Sequence, residues 1–307
     1  MTPPTLVFLH HFGGSARSWD TVLARLGGAL PTLVLDLPGF GDAAGAPGPY
    51  TVSAYADFVV AELRARGLGE HILVGHSMGG KIALAMATRR PAGLRALVLL
   101  APSPPTPEPI EDEWRAAMIA GWAQYSTASR MLALATAIPL REDARKVVLD
   151  DAMRAGKAAW TSWLAHGSRE DWSRELAKVA VPVTILSGTR DTVLPTELVR
   201  REIVNRLAMF DLHTVPAAGH LLPFEAPDAV ADAIGRAASD LSRKGRSADR
   251  AVGHPRSLHP AELLQFARTY DPAHALSRVQ IGPNPPAFHQ DIRSGIRPRW
   301  RSEVVPT

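Results

Sequence analysis

The stretch Ile72-Leu73-Val74-Gly75-His76-Ser77-Met78-Gly79-Gly80 decides the fold of this chain. It opens with an apolar run typical of a buried strand, and residues 81–88 after it have the spacing of a helix. The junction, Gly75-His76-Ser77-Met78-Gly79, is a G-x-S-x-G sequence. A serine at such a strand-to-helix turn is held in a strained backbone conformation with its hydroxyl exposed. The stretch therefore predicts that Ser77 is a nucleophile at the edge of a sheet.

Short apolar runs alternate with helical patterns on both sides of this turn. The expected strands are residues 5–9, 33–35, 72–74, 94–100, 183–186 and 211–215. The expected helices include residues 52–66, 81–88, 197–207 and 226–241. Runs this short and this apolar favour a parallel sheet that is buried on both faces. The pattern thus predicts an α/β fold with a mostly parallel sheet of about six strands.

One segment interrupts this alternation. Residues 103–178 open with a cluster of prolines, continue as several helices, and hold five of the seven Trp. We expect them to form a helical cap inserted between two core segments, residues 1–102 and 179–241. Because ligand pockets are mostly apolar and aromatic, Trp122 and Trp160 are candidates for the pocket wall. The alternative is that these rings fill the core of the cap itself, since Trp is a highly buried residue.

The last segment, residues 242–307, has a different composition. It holds eight Pro, and eleven Lys or Arg against five Asp or Glu, so the basic charge of the chain belongs to this extension. Only residues 260–268 have a helical pattern. We expect the extension to be disordered or loosely packed. Its charges are scattered and its aromatic residues few, so no nucleic-acid partner is expected.

The composition also limits the chemistry and the location of the chain. It contains no Cys, which excludes disulfides, thiolate nucleophiles and Cys-ligated zinc and favours a cytoplasmic location. The apolar runs are far shorter than the roughly 20 residues of a membrane span, so no membrane partner is expected. The sequence leaves the oligomeric state open.

A serine needs a base to act as a nucleophile at neutral pH. His220, in Ala218-Gly219-His220-Leu221, directly follows the last expected strand, and Asp191, in Gly188-Thr189-Arg190-Asp191, follows the strand before it. The carboxyl ends of parallel strands meet at one edge of a sheet, so Ser77, His220 and Asp191 should lie together there. An acid that orients the base and stabilises its cation completes the set.

With these residues in place, the chain resembles the α/β-hydrolase superfamily, and within it the cap-bearing branch of esterases, lactonases and cofactor-free haloperoxidases. The resemblance covers about residues 5–241 and includes two further motifs, His10-His11-Phe12-Gly13-Gly14 and Asp36-Leu37-Pro38-Gly39-Phe40-Gly41. The order Ser77, Asp191, His220 also matches this superfamily. The N-terminal hairpin of relatives has no counterpart before the first expected strand.

The resemblance implies roles for the residues around the nucleophile. The backbone N–H groups of Phe12 and Met78 would form an oxyanion hole, and no metal or organic cofactor would be needed. His11 stands where relatives carry glycine, so its imidazole is a candidate pocket group, whereas His10 would brace the loop.

The implied activity is hydrolysis of a carboxylic ester or related acyl bond of a small molecule through an acyl-enzyme. The same three residues also serve carbon–carbon bond hydrolases and acyltransferases. A receptor with this fold would bind a small ligand without turning it over. The sequence leaves these alternatives and the substrate open.

Overall fold

A six-stranded parallel sheet lies at the centre of the computed structural model, which describes residues 3–251. Its strands stand in the order β2-β1-β3-β4-β5-β6, and every neighbouring pair is parallel. The strands are β1 Thr5–Leu9, β2 Thr32–Leu35, β3 His71–His76, β4 Leu94–Leu100, β5 Val183–Gly188 and β6 Phe210–Val215. The α/β class, the parallel sheet and the number of strands that the sequence predicted are confirmed.

Helices cover both faces of the sheet. The helices are α1 Asp20–Leu26, α2 Val52–Ala65, α3 Met78–Thr88, α4 Asp112–Ala120, α5 Tyr125–Ala135, α6 Glu142–Arg154, α7 Lys157–Ala165, α8 Thr196–Glu202, α9 Leu222–Glu225 and α10 Pro227–Ala251. Successive side chains of a strand point to opposite faces. Val7 and Leu9 of β1 accordingly pack with α2 and α3, whereas Leu6 and Phe8 pack with α1 and α10.

Helices α4 to α7 lie between β4 and β5, in the segment that the sequence predicted as a cap. A buried polar contact joins α6 to the loop after β1, since the hydroxyl of Ser15 donates to Asp151 at 2.6 Å. Arg17 and Arg154 form ion pairs with the same carboxylate. These contacts fix α6 beside the carboxyl end of β1, where the oxyanion loop was expected.

Two helix boundaries differ from the sequence prediction. Helix α8 ends at Glu202 and is followed by a 3-10 turn, Val204–Arg206, instead of continuing to residue 207. The β-branched Ile203 and Val204 and the following Asn205 have low helix propensity, which explains the break. Helix α10 continues to Ala251, beyond the predicted boundary at residue 241, because no proline stands before Pro255 to end it.

The predicted helix over residues 260–268 and most of the predicted extension lie outside the described residues. Among the helices that the structure describes, none combines the length and the apolar character needed to cross a bilayer.

Candidate active site

Ser77 occupies the turn between β3 and α3. Its φ of 52° and ψ of −113° are a strained combination for a residue with a side chain. A Cβ added to Gly75 would lie 2.5 Å from the carbonyl oxygen of Gly79, and one added to Gly79 would lie 2.3 Å from that of Leu9. The two glycines therefore allow β1, β3 and α3 to approach closely enough to hold Ser77 in this conformation.

A chain of hydrogen bonds connects Ser77, His220 and Asp191. The Oγ of Ser77 lies 2.9 Å from Nε2 of His220, and Nδ1 of His220 lies 2.8 Å from Oδ2 of Asp191. A carboxylate only accepts hydrogen bonds, so Nδ1 carries the proton and Nε2 is free to accept from the serine hydroxyl. The other oxygen of Asp191 accepts from the N–H groups of Val193 and Leu194, at 2.8 and 2.9 Å. The carboxylate is thus held in one orientation towards the imidazole.

The charges around His220 set its proton affinity. Burial acts to lower the pKa of the imidazole, but the charge of Asp191 and its hydrogen bond, with the charges of Glu108 and Glu225, outweigh burial and raise the pKa. A base whose pKa is raised accepts a proton from serine more readily. The arrangement can therefore take up the Ser77 proton and stabilise the resulting cation.

Two further imidazoles stand in a row with His220. The ring centroids of His11 and His76 are 4.9 Å apart, and those of His76 and His220 are 5.4 Å apart. Burial and the neighbouring imidazoles lower the pKa of His11 to about 3 and that of His76 well below its usual range. Both rings are therefore neutral near pH 7. Nε2 of His76 lies 2.9 Å from the carbonyl oxygen of His220, and this hydrogen bond fixes the backbone of the His220 loop. The sequence did not predict this contact.

The loop after β1 carries Phe12, the residue expected to provide an oxyanion donor. His10 braces this loop, because its Nδ1 bonds the carbonyl of His11 at 2.8 Å and its Nε2 accepts from the N–H of Leu37 at 3.1 Å. Within residues 3–251 the N–H groups of Phe12 and Met78 donate to no backbone or side-chain acceptor. Met78 is the first residue of α3, where a free N–H is the rule.

A cavity of about 150 Å³ opens beside the nucleophile, a size that holds a benzene-sized group. Phe12, His11, Ser77 and His220 lie in its wall with residues of the helices between β4 and β5. Its two tryptophans are Trp114 and Trp163. His11 lies in the cavity wall, and its Nδ1 has no hydrogen-bond partner among the described residues.

Trp122 and Trp160, the other candidates for the pocket wall, are not among the described residues that line this cavity. Trp160 is buried against the ring of Phe12, 4.5 Å away, and its indole N–H donates to the carbonyl of Met118. The indole N–H of Trp122 donates to the carbonyl of Ala155. Each indole N–H thus satisfies a backbone carbonyl of the segment between β4 and β5.

Glu225, which the sequence did not single out, organises the loop of His220. One carboxylate oxygen accepts from the N–H groups of Ala137 and Gly219 at 2.8 and 2.9 Å, and the other accepts from Leu221 at 3.0 Å. The carbonyl of Ala135, at the end of α5, accepts from the N–H of His220 at 2.8 Å. The loop that carries the base is therefore bound to the end of a helix that lines the cavity.

We expect Glu225→Gln to lower both stability and turnover. An amide has only one accepting oxygen, so at least one of these buried N–H groups would lose its acceptor, which costs about 2 kcal/mol. A displaced His220 would also reduce kcat/KM by about tenfold to a hundredfold. Urea unfolding and hydrolysis of p-nitrophenyl butyrate measure the two effects. Glu197→Gln is the control, since that side chain is 82% exposed on α8, and equal behaviour of the two variants would contradict the role of Glu225.

Within residues 3–251, no group of three or more His, Asp or Glu side chains is arranged to hold a metal ion. The site is built from the carboxyl ends of β1, β3, β5 and β6 and from the helices between β4 and β5. Binding of a neutral, mostly apolar group beside an activated serine is the chemistry that this arrangement supports.

Comparison with known proteins identifies relatives with the same organisation. The chain is 26% identical over 247 residues to an esterase of Mycobacterium tuberculosis, covering 75% of this chain and 81% of that protein. It is 29% identical over 246 residues to a pimeloyl-[acyl-carrier protein] methyl ester esterase of Pectobacterium carotovorum, covering 75% and 92%. An esterase structure from Exiguobacterium antarcticum superposes with a TM-score of 0.71 at 19% identity, covering 78% of this chain and 92% of that one.

The sequence pattern of an entire family matches as well. The model of the alpha/beta hydrolase family aligns with residues 6–233, from the first strand to the last helix of the described fold. The chain is therefore an enzyme of the alpha/beta hydrolase family, in the esterase-containing branch that its sequence motifs predicted.

Proposed function

We propose that this enzyme hydrolyses a carboxylic ester or related acyl bond of a small molecule through an acyl-enzyme on Ser77. The observation that carries the proposal is the hydrogen-bond chain from Ser77 through His220 to Asp191. Ser77 and His220 lie in the wall of an apolar cavity. The esterase relatives support the same reaction class.

In the first half of the reaction, Nε2 of His220 takes the proton of Ser77 as Oγ attacks the acyl carbon. The carbonyl oxygen becomes an oxyanion, which the free N–H groups of Phe12 and Met78 are placed to stabilise. Each such donor contributes about 3 kcal/mol to the transition state. The bond to the alcohol oxygen then breaks, and His220 delivers its proton to that oxygen.

Water resolves the acyl-enzyme in the second half. His220 takes a proton from water as the water oxygen attacks the acyl carbon, and it returns that proton to Oγ of Ser77 when the carboxylic acid leaves. In both halves the carboxylate of Asp191 stabilises the cation of His220. The residues between β4 and β5 serve as a cap that covers the acyl group, and a small-molecule ester is the only partner that this reaction needs.

Active-site labelling of the full chain tests the proposal. We expect a fluorophosphonate probe to add to Ser77, as identified by peptide mass spectrometry, and p-nitrophenyl butyrate to be hydrolysed with a burst of p-nitrophenol equal to the enzyme concentration if deacylation is slow. Labelling of another residue, or of none in folded protein, would contradict the mechanism.

The same experiment separates the alternatives. Labelling of Ser77 without turnover of any simple ester would favour a carbon–carbon bond hydrolase or a receptor. Transfer of the butyryl group to an added alcohol in preference to water would favour an acyltransferase. The cytoplasmic location remains a prediction for a separate measurement.

A further inference from the structure

Glu108 is a carboxyl group in the cavity wall that exchanges no proton and forms no bond in the proposed reaction. It lies in the segment between β4 and α4 and lines the same cavity as Ser77 and His220. Its Oε1 accepts from the hydroxyl of Ser103 at 2.5 Å, and the N–H of Ser103 donates to the carbonyl of Ser77 at 3.0 Å. The carboxyl is therefore held in a fixed position relative to the nucleophile.

The surroundings of Glu108 leave one of its oxygens without a partner. Within the described part of the chain, Oε2 accepts no hydrogen bond. The ammonium group of Lys81 lies nearby, but it donates to the carbonyls of Thr106 and Glu170, at 3.2 and 2.9 Å. Burial raises the pKa of Glu108, against the hydrogen bond from Ser103 and the charge of Lys81. A carboxyl in an apolar wall is costly unless its polar atoms are satisfied.

The other residues that line the cavity restrict which substrate group can form a hydrogen bond with the free oxygen of Glu108. Apart from Glu108, the polar side chains in the wall are His11, Ser77 and His220, and none of the described lining residues is Lys or Arg. His11 is neutral near pH 7, so it supplies no cation. A second carboxylate on the substrate would lie beside the Glu108 carboxyl, with no Lys or Arg among the described lining residues to pair with it. Anionic acyl groups are therefore disfavoured.

We propose that Glu108 is a specificity-determining residue that hydrogen-bonds a hydroxyl group on an otherwise apolar, uncharged ester substrate. A hydroxyl is the group that fits the carboxyl in either protonation state, because it donates to a carboxylate and accepts from a carboxylic acid. A keto group only accepts hydrogen bonds, so it would need Glu108 in the acid form. An ammonium group only donates hydrogen bonds, so it would need Glu108 as the carboxylate. The volume of about 150 Å³ limits the covered part of the substrate to a short chain or a single ring.

Three esters of nearly equal size test this proposal, which rests on the proposed esterase activity. Propyl butyrate has no hydroxyl, propyl 3-hydroxybutyrate carries one on the acyl side, and 3-hydroxypropyl butyrate carries one on the alcohol side. We expect kcat/KM, followed by titration of the released acid, to be at least about tenfold higher for one hydroxy ester than for propyl butyrate. Which of the two is preferred identifies the side of the ester that faces Glu108.

Two variants assign that preference to the carboxyl. Glu108→Leu should reduce the ratio of kcat/KM for the preferred hydroxy ester to kcat/KM for propyl butyrate to about one, whereas Glu108→Gln, whose amide still donates and accepts, should retain part of the preference. The ratio is compared within each variant, because loss of the Glu108 charge also lowers the pKa of His220 and affects all three esters alike. Because Gln can also accept from Ser103, it keeps the loop in place if the leucine variant fails to fold. A wild-type preference for propyl butyrate over both hydroxy esters, or a preference unchanged in Glu108→Gln and Glu108→Leu, would overturn the proposal.

A readout without turnover separates this proposal from the esterase proposal. Two amides provide this readout: N-propyl butyramide and the hydroxy amide that matches the preferred ester, which is N-propyl 3-hydroxybutyramide or N-(3-hydroxypropyl)butyramide. Both should slow fluorophosphonate labelling of Ser77, and the hydroxy amide should do so at an at least about tenfold lower concentration in wild type only. Equal protection by both amides would overturn the role of Glu108. Absence of labelling and of turnover of all three esters would overturn the esterase activity itself.

Discussion

Replacing Ser77 with alanine is expected to lower kcat for p-nitrophenyl butyrate by at least about 10⁴-fold. Without Oγ no acyl-enzyme forms, and the residual rate comes only from the oxyanion donors and substrate binding. Fluorophosphonate labelling should vanish with the activity. Because the alanine relieves none of the backbone strain at φ 52°, the free energy of unfolding should change little.

Ser18→Ala is the matched control for this substitution. Ser18 is also buried, and its hydroxyl has no hydrogen-bond partner among the described residues, so its loss should leave activity and stability unchanged. Circular dichroism and urea unfolding confirm that each variant is folded. If folded Ser77→Ala kept more than about a hundredth of wild-type kcat, another nucleophile or a bound water would be performing the reaction.

The features that the sequence predicted share one physical basis. Alternating strands and helices build a parallel sheet, and all of its carboxyl ends lie at one edge. The G-x-S-x-G turn, the loop after β5 and the loop after β6 each place a side chain at that edge, so Ser77, Asp191 and His220 meet although His220 is 143 positions from the serine. Topology alone was sufficient to bring these residues together.

The features that escaped prediction depend on contacts between side chains and distant backbone. Which tryptophans line the cavity depends on the rotation of the helices between β4 and β5, and the Trp content of this segment carries no information on that rotation. The role of Glu225 depends on the N–H groups of Ala137 and of the His220 loop, which become neighbours only in the folded chain. Glu108 lies within a proline-rich stretch, residues 102–109, whose path no periodic pattern describes.

Asp191→Asn is expected to lower kcat by about 10⁴-fold, through the tautomer of His220. The oxygen Oδ1 of Asp191 accepts from the N–H groups of Val193 and Leu194, so the single oxygen of an asparagine would stay there. Its NH₂ group would then face Nδ1 of His220 and donate to it. The imidazole would carry its proton on Nε2 instead, and could not accept the proton of Ser77.

The pH dependence of the residual activity separates this mechanism from a loss of folding. Only neutral His220 can act as a base, so kcat/KM should rise with pH through the pKa of the free enzyme. The pKa of His220 is raised, so the wild-type midpoint should lie above the ordinary value of about 6.5. In Asp191→Asn the opposing charge is lost while burial still disfavours the cation, so the midpoint should move to lower pH. Asp211 is an exposed aspartate on β6, and Asp211→Asn should keep the wild-type pH profile. An unshifted midpoint in Asp191→Asn would show that the charge of Asp191 does not raise the pKa of His220.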